Sequence, residues 1–130
     1  MKLLSASILA VTLLAGCGGM STTSAVAPDT PTKTADGVLV GPDGKSLYIF
    51  ARDTANSGKS VCNAACAKLW PALPVAATAK PMGGYSIIVR DDGSRQWAYK
   101  GAPLYYYAND AKAGDRTGDN FNNVWKLARP

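Results

Sequence analysis

Residues 44–53 read GKSLYIFARD, and residues 101–110 read GAPLYYYAND. At a shift of 57 residues the two stretches share Gly, Leu, Tyr, Ala and Asp, and Phe50 coincides with Tyr107 as a second aromatic position. A tryptophan follows each copy, at Trp70 and at Trp125. One duplication with this many matches indicates a domain built from two related units.

Each copy is a short aromatic or β-branched run bounded by Gly and Asp, which predicts a β-strand. In the first copy both faces are apolar, with Leu47 and Ile49 on one and Tyr48 and Phe50 on the other. A strand of this kind is covered on both sides. The aspartate that ends each copy is expected just beyond the strand, where its carboxylate can accept hydrogen bonds from backbone N–H groups of the turn.

A hairpin is predicted between the copies, where residues 85–99 read YSIIVRDDGSRQWAY. A three-residue loop that ends in a left-handed Gly93 pairs Tyr85 with Tyr99, and this register separates apolar from polar side chains. The next turn leads into the second copy and completes a three-stranded meander. One short helix is predicted over 61–70, with Ser60 as its N-cap and a proline directly after it.

The fold class is therefore mainly β (α+β minor). We expect a small two-repeat antiparallel β domain with one short helix, placed after a signal peptide and a disordered tether. The tether is the Ser-, Thr-, Ala- and Pro-rich stretch that ends at Asp36, and it holds too little apolar surface to order itself. The predicted divisions are 1–16 for the signal peptide, 17–36 for the lipidated cysteine and tether, and 37–130 for the two-repeat secreted domain.

The signal peptide has a basic start at Lys2 and an apolar run over 3–14, which is too short to span a bilayer. Residues 14–17 read LAGC and resemble the bacterial lipobox, in which a peptidase cuts before the cysteine and lipid is attached to it. Cys17 is thus the predicted lipidation site, and the lipid membrane is the predicted partner, because two or more acyl chains anchor a protein stably. An ordinary secretory peptide is the alternative.

This reading of the N-terminus predicts a lipid-anchored protein of the cell envelope. In a diderm host the absence of Asp after the cysteine, where Gly18 stands, favours the periplasmic face of the outer membrane. In other hosts the outer face of the plasma membrane is expected.

Two cysteines remain for the domain, Cys62 and Cys66, and an oxidising compartment favours a disulfide between them. On one helix the i, i+4 spacing places their Cα atoms about 6 Å apart, within the range for a disulfide. A structural bond is the preferred interpretation. A redox or electron-transfer accessory that uses this pair stays open, and so does metal binding.

The composition excludes several kinds of chemistry. The chain has no histidine, and its nine acidic residues are all aspartate, which removes His-based triads, imidazole metal ligands and glutamate acids or bases. No Ser or Cys lies in a nucleophile motif, so no enzyme activity and no cofactor are predicted. The net charge of +5 is spread along the chain, which disfavours nucleic acid and leaves an envelope protein or an anionic polymer as a possible partner.

Calcium binding is a further alternative. Asp110, Asp115 and Asp119 lie in a Gly-rich stretch with many oxygen ligands. The stretch matches neither the EF-hand order nor the nonapeptide repeat, and ordinary turn chemistry explains it more simply. No metal site is predicted.

The ordered set of motifs resembles a known family. It comprises LYIFARD at 47–53, C-x-x-x-C with a following Trp-Pro at 62–71, DGSRQ at 92–96 and YKGAPLY at 99–105. Together these are similar to the bacterial lipoproteins with a Tyr-x-aromatic-x-x-Asp motif, also described as a secreted repeat of unknown function. The resemblance implies an exported, lipid-anchored domain with two repeats and no established activity. The chain departs from the family pattern at Ala72 and at Lys126.

The repeat motif supplies the candidate residues for a structural or binding role. They are Tyr48, Phe50, Asp53, Tyr105, Tyr107 and Asp110. Tyr and Trp can form rigid contact surfaces for a partner, but most rings of a small domain fill its core. We expect the core for the first copy and at least one exposed ring within 105–107, in a non-catalytic binding or structural module.

Overall fold

The computed structural model describes residues 30–130. In this part of the chain seven strands, one α-helix and one 3-10 turn follow each other. They are β1 (Lys33–Ala35), β2 (Val38–Val40), β3 (Tyr48–Phe50), α1 (Ala65–Leu69), β4 (Tyr85–Val89), β5 (Arg95–Tyr99), β6 (Ala102–Pro103), the 3-10 turn (Phe121–Asn123) and β7 (Trp125–Leu127). All strand pairs are antiparallel, so the predicted fold class is confirmed.

The β4–β5 hairpin has the predicted register. Tyr85 faces Tyr99, and Gly93 adopts φ +83° in the loop, where the N–H of Gly93 bonds to the carbonyl of Arg90. The third strand of the meander, β6, pairs with β5. The polar face of the hairpin is the more buried one, because Gln96 is 0% exposed there.

Four chain segments form a central ladder. The strand β3 pairs with β7 on one side, and Tyr48 exchanges both backbone hydrogen bonds with Tyr105 on the other, at 2.8 and 2.9 Å. Tyr105 in turn bridges to Ala72. The order across the ladder is therefore 70–73, 104–108, 47–51 and 125–128, and the Tyr48–Tyr105 pair lies at its centre.

The ladder has an approximate two-fold symmetry. The carbonyl of Val124 accepts the N–H of Ala51, and the carbonyl of Leu69 accepts the N–H of Ala108 in the corresponding place. The tryptophan-containing segment of each repeat thus pairs with the tyrosine-containing segment of the other repeat. The two repeats are interlocked rather than arranged as separate units.

Side chains of the central ladder fill two cores, as the alternation of the first copy predicts. Tyr48 and Phe50 pack in the aromatic core with both of the repeat tryptophans, whereas Leu47 and Ile49 pack in an aliphatic core on the opposite face, together with Trp97. Tyr48 and Leu47 are both 0% exposed. The prediction that this strand is covered on both sides is confirmed.

The second copy is not a regular strand, which corrects one expectation. Within residues 101–110 the structure forms only the two-residue strand β6 and, after it, the bridges of Tyr105. The N–H of Tyr106 donates to the carbonyl of Pro71, but a proline has no N–H with which to form the second hydrogen bond of a strand pair. The position in the other repeat that corresponds to Pro71 is Lys126, which lies within the regular β3–β7 pair. The proline interrupts the ladder on this side.

The helix is shorter than predicted. It begins at Ala65, and Ser60 is not its N-cap. The N–H of Val61 donates to Asp53 Oδ1 at 2.8 Å and that of Cys62 to Ser60 Oγ at 3.2 Å, so both are engaged outside any helix. A positive φ of 54° at Ala64 separates this segment from α1.

The folded part of the chain begins before the predicted boundary at Gly37. Strand β1 pairs with β2, and Thr32 is 3% exposed, so residues 32–36 belong to the domain rather than to a tether. The three residues of β1 are polar or small and point to solvent, which gave no apolar pattern to detect. The predicted signal peptide, Cys17 and the rest of the tether lie outside the described residues. No helix among residues 30–130 is long and apolar enough to span a bilayer.

Candidate binding site

The repeat motif forms two reciprocal Tyr–Asp pairs at the centre of the molecule. The Tyr48 hydroxyl of the first repeat donates to Asp110 Oδ2 of the second at 2.6 Å. In the corresponding place the Tyr105 hydroxyl of the second repeat donates to Asp53 of the first. Each motif is thus completed by the other copy.

Each aspartate also accepts the backbone hydrogen bond that the sequence predicts. Asp53 Oδ1 accepts the N–H of Val61, and Asp110 Oδ1 accepts the N–H of Thr117 at 3.0 Å. Ser60 lies 2.6 Å from the Tyr105 hydroxyl, and it is separated from Thr117 by the same 57 residues as the motif copies. The duplication therefore includes the loop that follows each aspartate.

Four rings form a continuous stack across the symmetry axis. Trp70 and Trp125 lie face to face at 3.8 Å between ring centroids and 5° between planes. Phe50 stacks outside Trp125 at 4.2 Å, and Tyr107 stacks outside Trp70 at 4.3 Å. Offset stacks of this kind add stability beyond the area that they bury. The stack lies within the aromatic core.

Burial controls the chemistry of these tyrosines. Desolvation, followed by the hydrogen bond to Asp110, raises the pKa of Tyr48 well above its ordinary value of 10. Desolvation and the hydrogen bond to Asp53 raise the pKa of Tyr105 in the same way. Both hydroxyls stay protonated and act as donors, which matches a structural role for the pairs.

The predicted motif residues are therefore core residues. Tyr48, Tyr105, Tyr107 and Asp110 are buried, and Phe50 and Asp53 are half-buried at the edge of the same cluster. None of the rings within 105–107 is exposed, which corrects the expectation of an exposed ring there: Tyr106 is half-buried, packs against the opposite core and borders a groove.

The predicted disulfide is present between Cys62 and Cys66, with 5.2 Å between the Cα atoms. Only Cys66 belongs to the helix, so the bond fastens α1 to the loop before it rather than joining two positions on one helix face. Cys62 is 0% exposed, and its carbonyl accepts a hydrogen bond from the Arg90 guanidinium. The disulfide holds the segment that carries the Ser60 contact to Tyr105.

The three aspartates of the calcium hypothesis each bond to backbone N–H groups. Asp110 is engaged as above, Asp115 Oδ2 accepts the N–H of Ala111 at 2.9 Å, and Asp119 Oδ1 accepts that of Leu127 at 3.1 Å. Within residues 30–130 no group of three acidic or sulfur side chains is placed to hold a metal ion. The arrangement gives calcium no support.

A large apolar groove opens on the aliphatic side of the domain. Its volume is about 1060 Å³. Trp97, Leu73 and Tyr106 form the inner surface, and the linker between the repeats forms one wall with Ala76 and Met82. Sites of this size and character are the usual binding places for small molecules.

The opposite wall comes from the start of the described chain and from the turn after β2. Thr30 and Lys33 lie on one part of it, and Asp43 lies on the other. The linker of residues 75–84 lies between the two repeats and occurs once in the chain, so this wall of the groove is not part of the duplication. The linker, like Pro71 in the ladder, is a departure from the approximate two-fold symmetry.

Tyr106 lines the groove and also packs against the turn after β2. Burial, together with the negative charge of Asp43, raises the pKa of Tyr106 to about 12. Its ring passes so close to Gly41 that a Cβ there would lie 2.0 Å from the hydroxyl oxygen. The ring position therefore depends on a glycine in the turn that follows β2.

The groove was not predicted from the sequence. Residues 74–84 carry no motif, and Trp97 lies in the predicted hairpin and is a core residue at 5% exposure. One feature of the sequence could have indicated the groove: the linker is rich in proline and alanine and contains one methionine. An apolar linker of this kind is expected to pack against another apolar surface of the protein or to bind a ligand.

The fold and site define a class: a two-repeat β domain whose motif residues form its core. The match to a family model supports this assignment, because the family described as "Secreted repeat of unknown function" matches residues 30–74 and 86–129. The chain belongs to this family, and the two matched stretches are the two interlocked repeats. No curated protein and no solved structure matches the chain.

Proposed function

We propose that the protein is a membrane-anchored lipoprotein of the cell envelope that acts as a non-catalytic binding module, with the apolar groove as its binding site. The observation that carries the proposal is the groove. A volume of about 1060 Å³, lined mainly by apolar side chains, is large enough for a small-molecule ligand.

The repeat motif has a structural role, which leaves the binding role to the groove. Tyr48 and Tyr105 are 0% exposed, and each hydroxyl is engaged with an aspartate of the other repeat. Groups that are sealed and hydrogen-bonded in this way stabilise a fold and do not meet a ligand. The motif therefore builds the scaffold, and the groove, which lies outside the motif, is free to bind.

The anchoring half of the proposal rests on residues 14–17, LAGC, and on the family description as secreted. The absence of histidine and glutamate from the chain supports the non-catalytic half. The proposed location is the periplasmic face of the outer membrane in a diderm host, and otherwise the outer face of the plasma membrane.

Site-specific photo-crosslinking in intact cells tests the binding role. Ala76 lines the groove and Ala77 does not, although both are exposed neighbours in the linker. A benzophenone amino acid at position 76 should give specific adducts that position 77 does not give. Equal adducts from both positions, or none from position 76, would contradict the groove as the binding site.

Mass spectrometry of the native protein tests the anchor. The product is expected to begin at Cys17 and to carry acyl chains, and Cys17→Ser should move the protein from the membrane fraction to the soluble fraction. A native product that still begins at Met1 would contradict the proposed lipid anchor.

A further inference from the structure

We propose that the groove binds the apolar chain of an anionic single-chain amphiphile, of the fatty-acid type, with the charged head at the rim beside Lys33 and Lys80. This inference rests on the proposed function of the groove as a binding site and names the class of its ligand.

The inner surface of the groove suits an apolar chain. Trp97 and Leu73 present carbon surface, and the flexible thioether of Met82 can adapt to a chain of varied shape. All the polar side-chain atoms that are buried among residues 30–130 have hydrogen-bond partners. The groove therefore offers no unpaired buried polar group that a polar ligand would be needed to satisfy.

The rim suits an anionic head. Lys33 and Lys80 both line the groove and are exposed, whereas Asp43 is the one acidic residue among its lining residues. The Tyr106 hydroxyl stays protonated at neutral pH, and its proton is engaged by Asp43, so the two lysines are left to bind the head. The charge balance at the rim is positive, which attracts a carboxylate.

The position of the groove relative to the proposed anchor favours the same ligand. Thr30 lines the groove and lies 13 residues after Cys17. A chain of this length spans at most about 45 Å even when fully extended. An anchored domain thus keeps the groove near the lipid surface, where anionic amphiphiles are concentrated.

Binding by the purified full-length protein tests the inference. The probe is dansyl-labelled undecanoic acid, whose emission rises in an apolar site, and the competitors are laurate and its uncharged glycerol ester. The concentration of laurate that displaces half of the probe should be at least about tenfold lower than that of the ester. A tenfold difference in affinity requires only a modest contribution from the attraction between the carboxylate and the lysines.

Two matched variant pairs make the test specific. Ala76→Trp fills the groove and should abolish probe binding, whereas Ala77→Trp should bind as the wild type does. The double variant Lys33→Glu/Lys80→Glu should weaken laurate by about tenfold and leave the ester unchanged. Lys68→Glu/Lys112→Glu changes the net charge equally at exposed positions outside the groove and should have no effect.

The outcomes separate this inference from the proposed function. If laurate and the ester bind equally and Ala76→Trp blocks both, the groove binds ligands but the anionic class is wrong. If neither binds, the amphiphile is wrong, and crosslinking at position 76 decides independently whether the groove has another occupant, such as a peptide. If Ala76→Trp binds as well as the wild type does, the groove is not the amphiphile site.

Discussion

At the scale of single residues, the aspartate of each repeat joins two kinds of contact. The hydrogen bond from the following loop was predicted, because an aspartate after a strand meets free N–H groups within a few residues. The tyrosine partner was not predictable, since Tyr48 and Asp110 are 62 residues apart in sequence. Local chemistry fixes the first contact, and only the pairing of the repeats creates the second.

Replacing Asp110 with Ala should lower the free energy of unfolding by about 3 kcal/mol. The change removes the acceptor for the buried Tyr48 hydroxyl and for both donors of Thr117. Asp91→Ala is the matched control, because Asp91 is exposed and accepts one hydrogen bond, from Asn63 Nδ2, and it should cost less than about 1 kcal/mol. Urea unfolding measures both, and equal losses would refute the structural role of the pair.

The raised pKa values of the tyrosines predict a loss of stability at alkaline pH. A tyrosine whose pKa is higher in the folded state holds its proton there after the unfolded chain has released it. Stability is therefore complete below about pH 10, the ordinary pKa of tyrosine, and falls as the pH rises above it.

Thermal melts between pH 8 and 11.5 measure this decline. Tyr48→Phe should be less stable than the wild type at pH 8, because Asp110 loses a donor, yet it should lose less between pH 10 and 11.5. Absorbance at 295 nm should show late ionisation of Tyr48 and Tyr105 in the folded protein. Parallel pH profiles for wild type and variant would rule out Tyr48 as a source of the decline.

At the scale of elements, the β4–β5 hairpin was predictable to the residue, whereas the helix was not. The loop Asp91-Asp92-Gly93 and the alternation around it fix the register locally. For the helix, the alanines and Pro71 gave the correct end near Trp70 but the wrong start. Residues 61–64 are held by Asp53 and Ser60, whose loop position is set by the opposite repeat.

The hairpin is fastened to the first repeat by one buried cation, Arg90, at 6% exposure. Its guanidinium donates to Ser60 Oγ at 3.0 Å, to Gln96 Oε1 at 2.6 Å and to the carbonyl of Cys62. Three acceptors in a fork need the planar group of arginine, which lysine cannot reproduce. A register argument cannot reveal this contact, because from sequence Arg90 belongs to a polar face.

We therefore expect Arg90→Lys to lower the free energy of unfolding by about 2 kcal/mol or more, although the charge is kept. Arg95→Lys is the control, since Arg95 lies on the same hairpin and donates to one exposed carbonyl, that of Ala76. It should cost less than about 1 kcal/mol. Denaturant unfolding compares the two, and an Arg90→Lys protein as stable as Arg95→Lys would exclude the fork as the fastening.

At the scale of the whole molecule, the duplication was visible in the sequence but its mode of assembly was not. Two copies could have formed two adjacent units, each with its own core. Instead the Trp70 segment pairs with the second repeat and the Trp125 segment pairs with the first. The pairing partner of a strand depends on long-range contacts, which periodicity does not encode. The groove was missed for the same reason, because it lies between elements distant in sequence.

The interlocked ladder predicts that neither repeat folds alone and that the two fold together. Fragments 30–83 and 84–130, divided in the exposed turn at Gly83 and Gly84, each lack the partner of their tyrosine and tryptophan segments. Each alone should give a poorly dispersed amide NMR spectrum, apart from local structure in the β4–β5 hairpin.

Mixed in equal amounts, the two fragments should recover the near-ultraviolet circular dichroism that arises from the Trp70–Trp125 stack. A second fragment carrying Trp125→Ala is the control and should fail to complement. A sigmoidal unfolding transition of either fragment by itself would show that a single repeat holds its own core, and the interlocked arrangement could not then be what stabilises the domain.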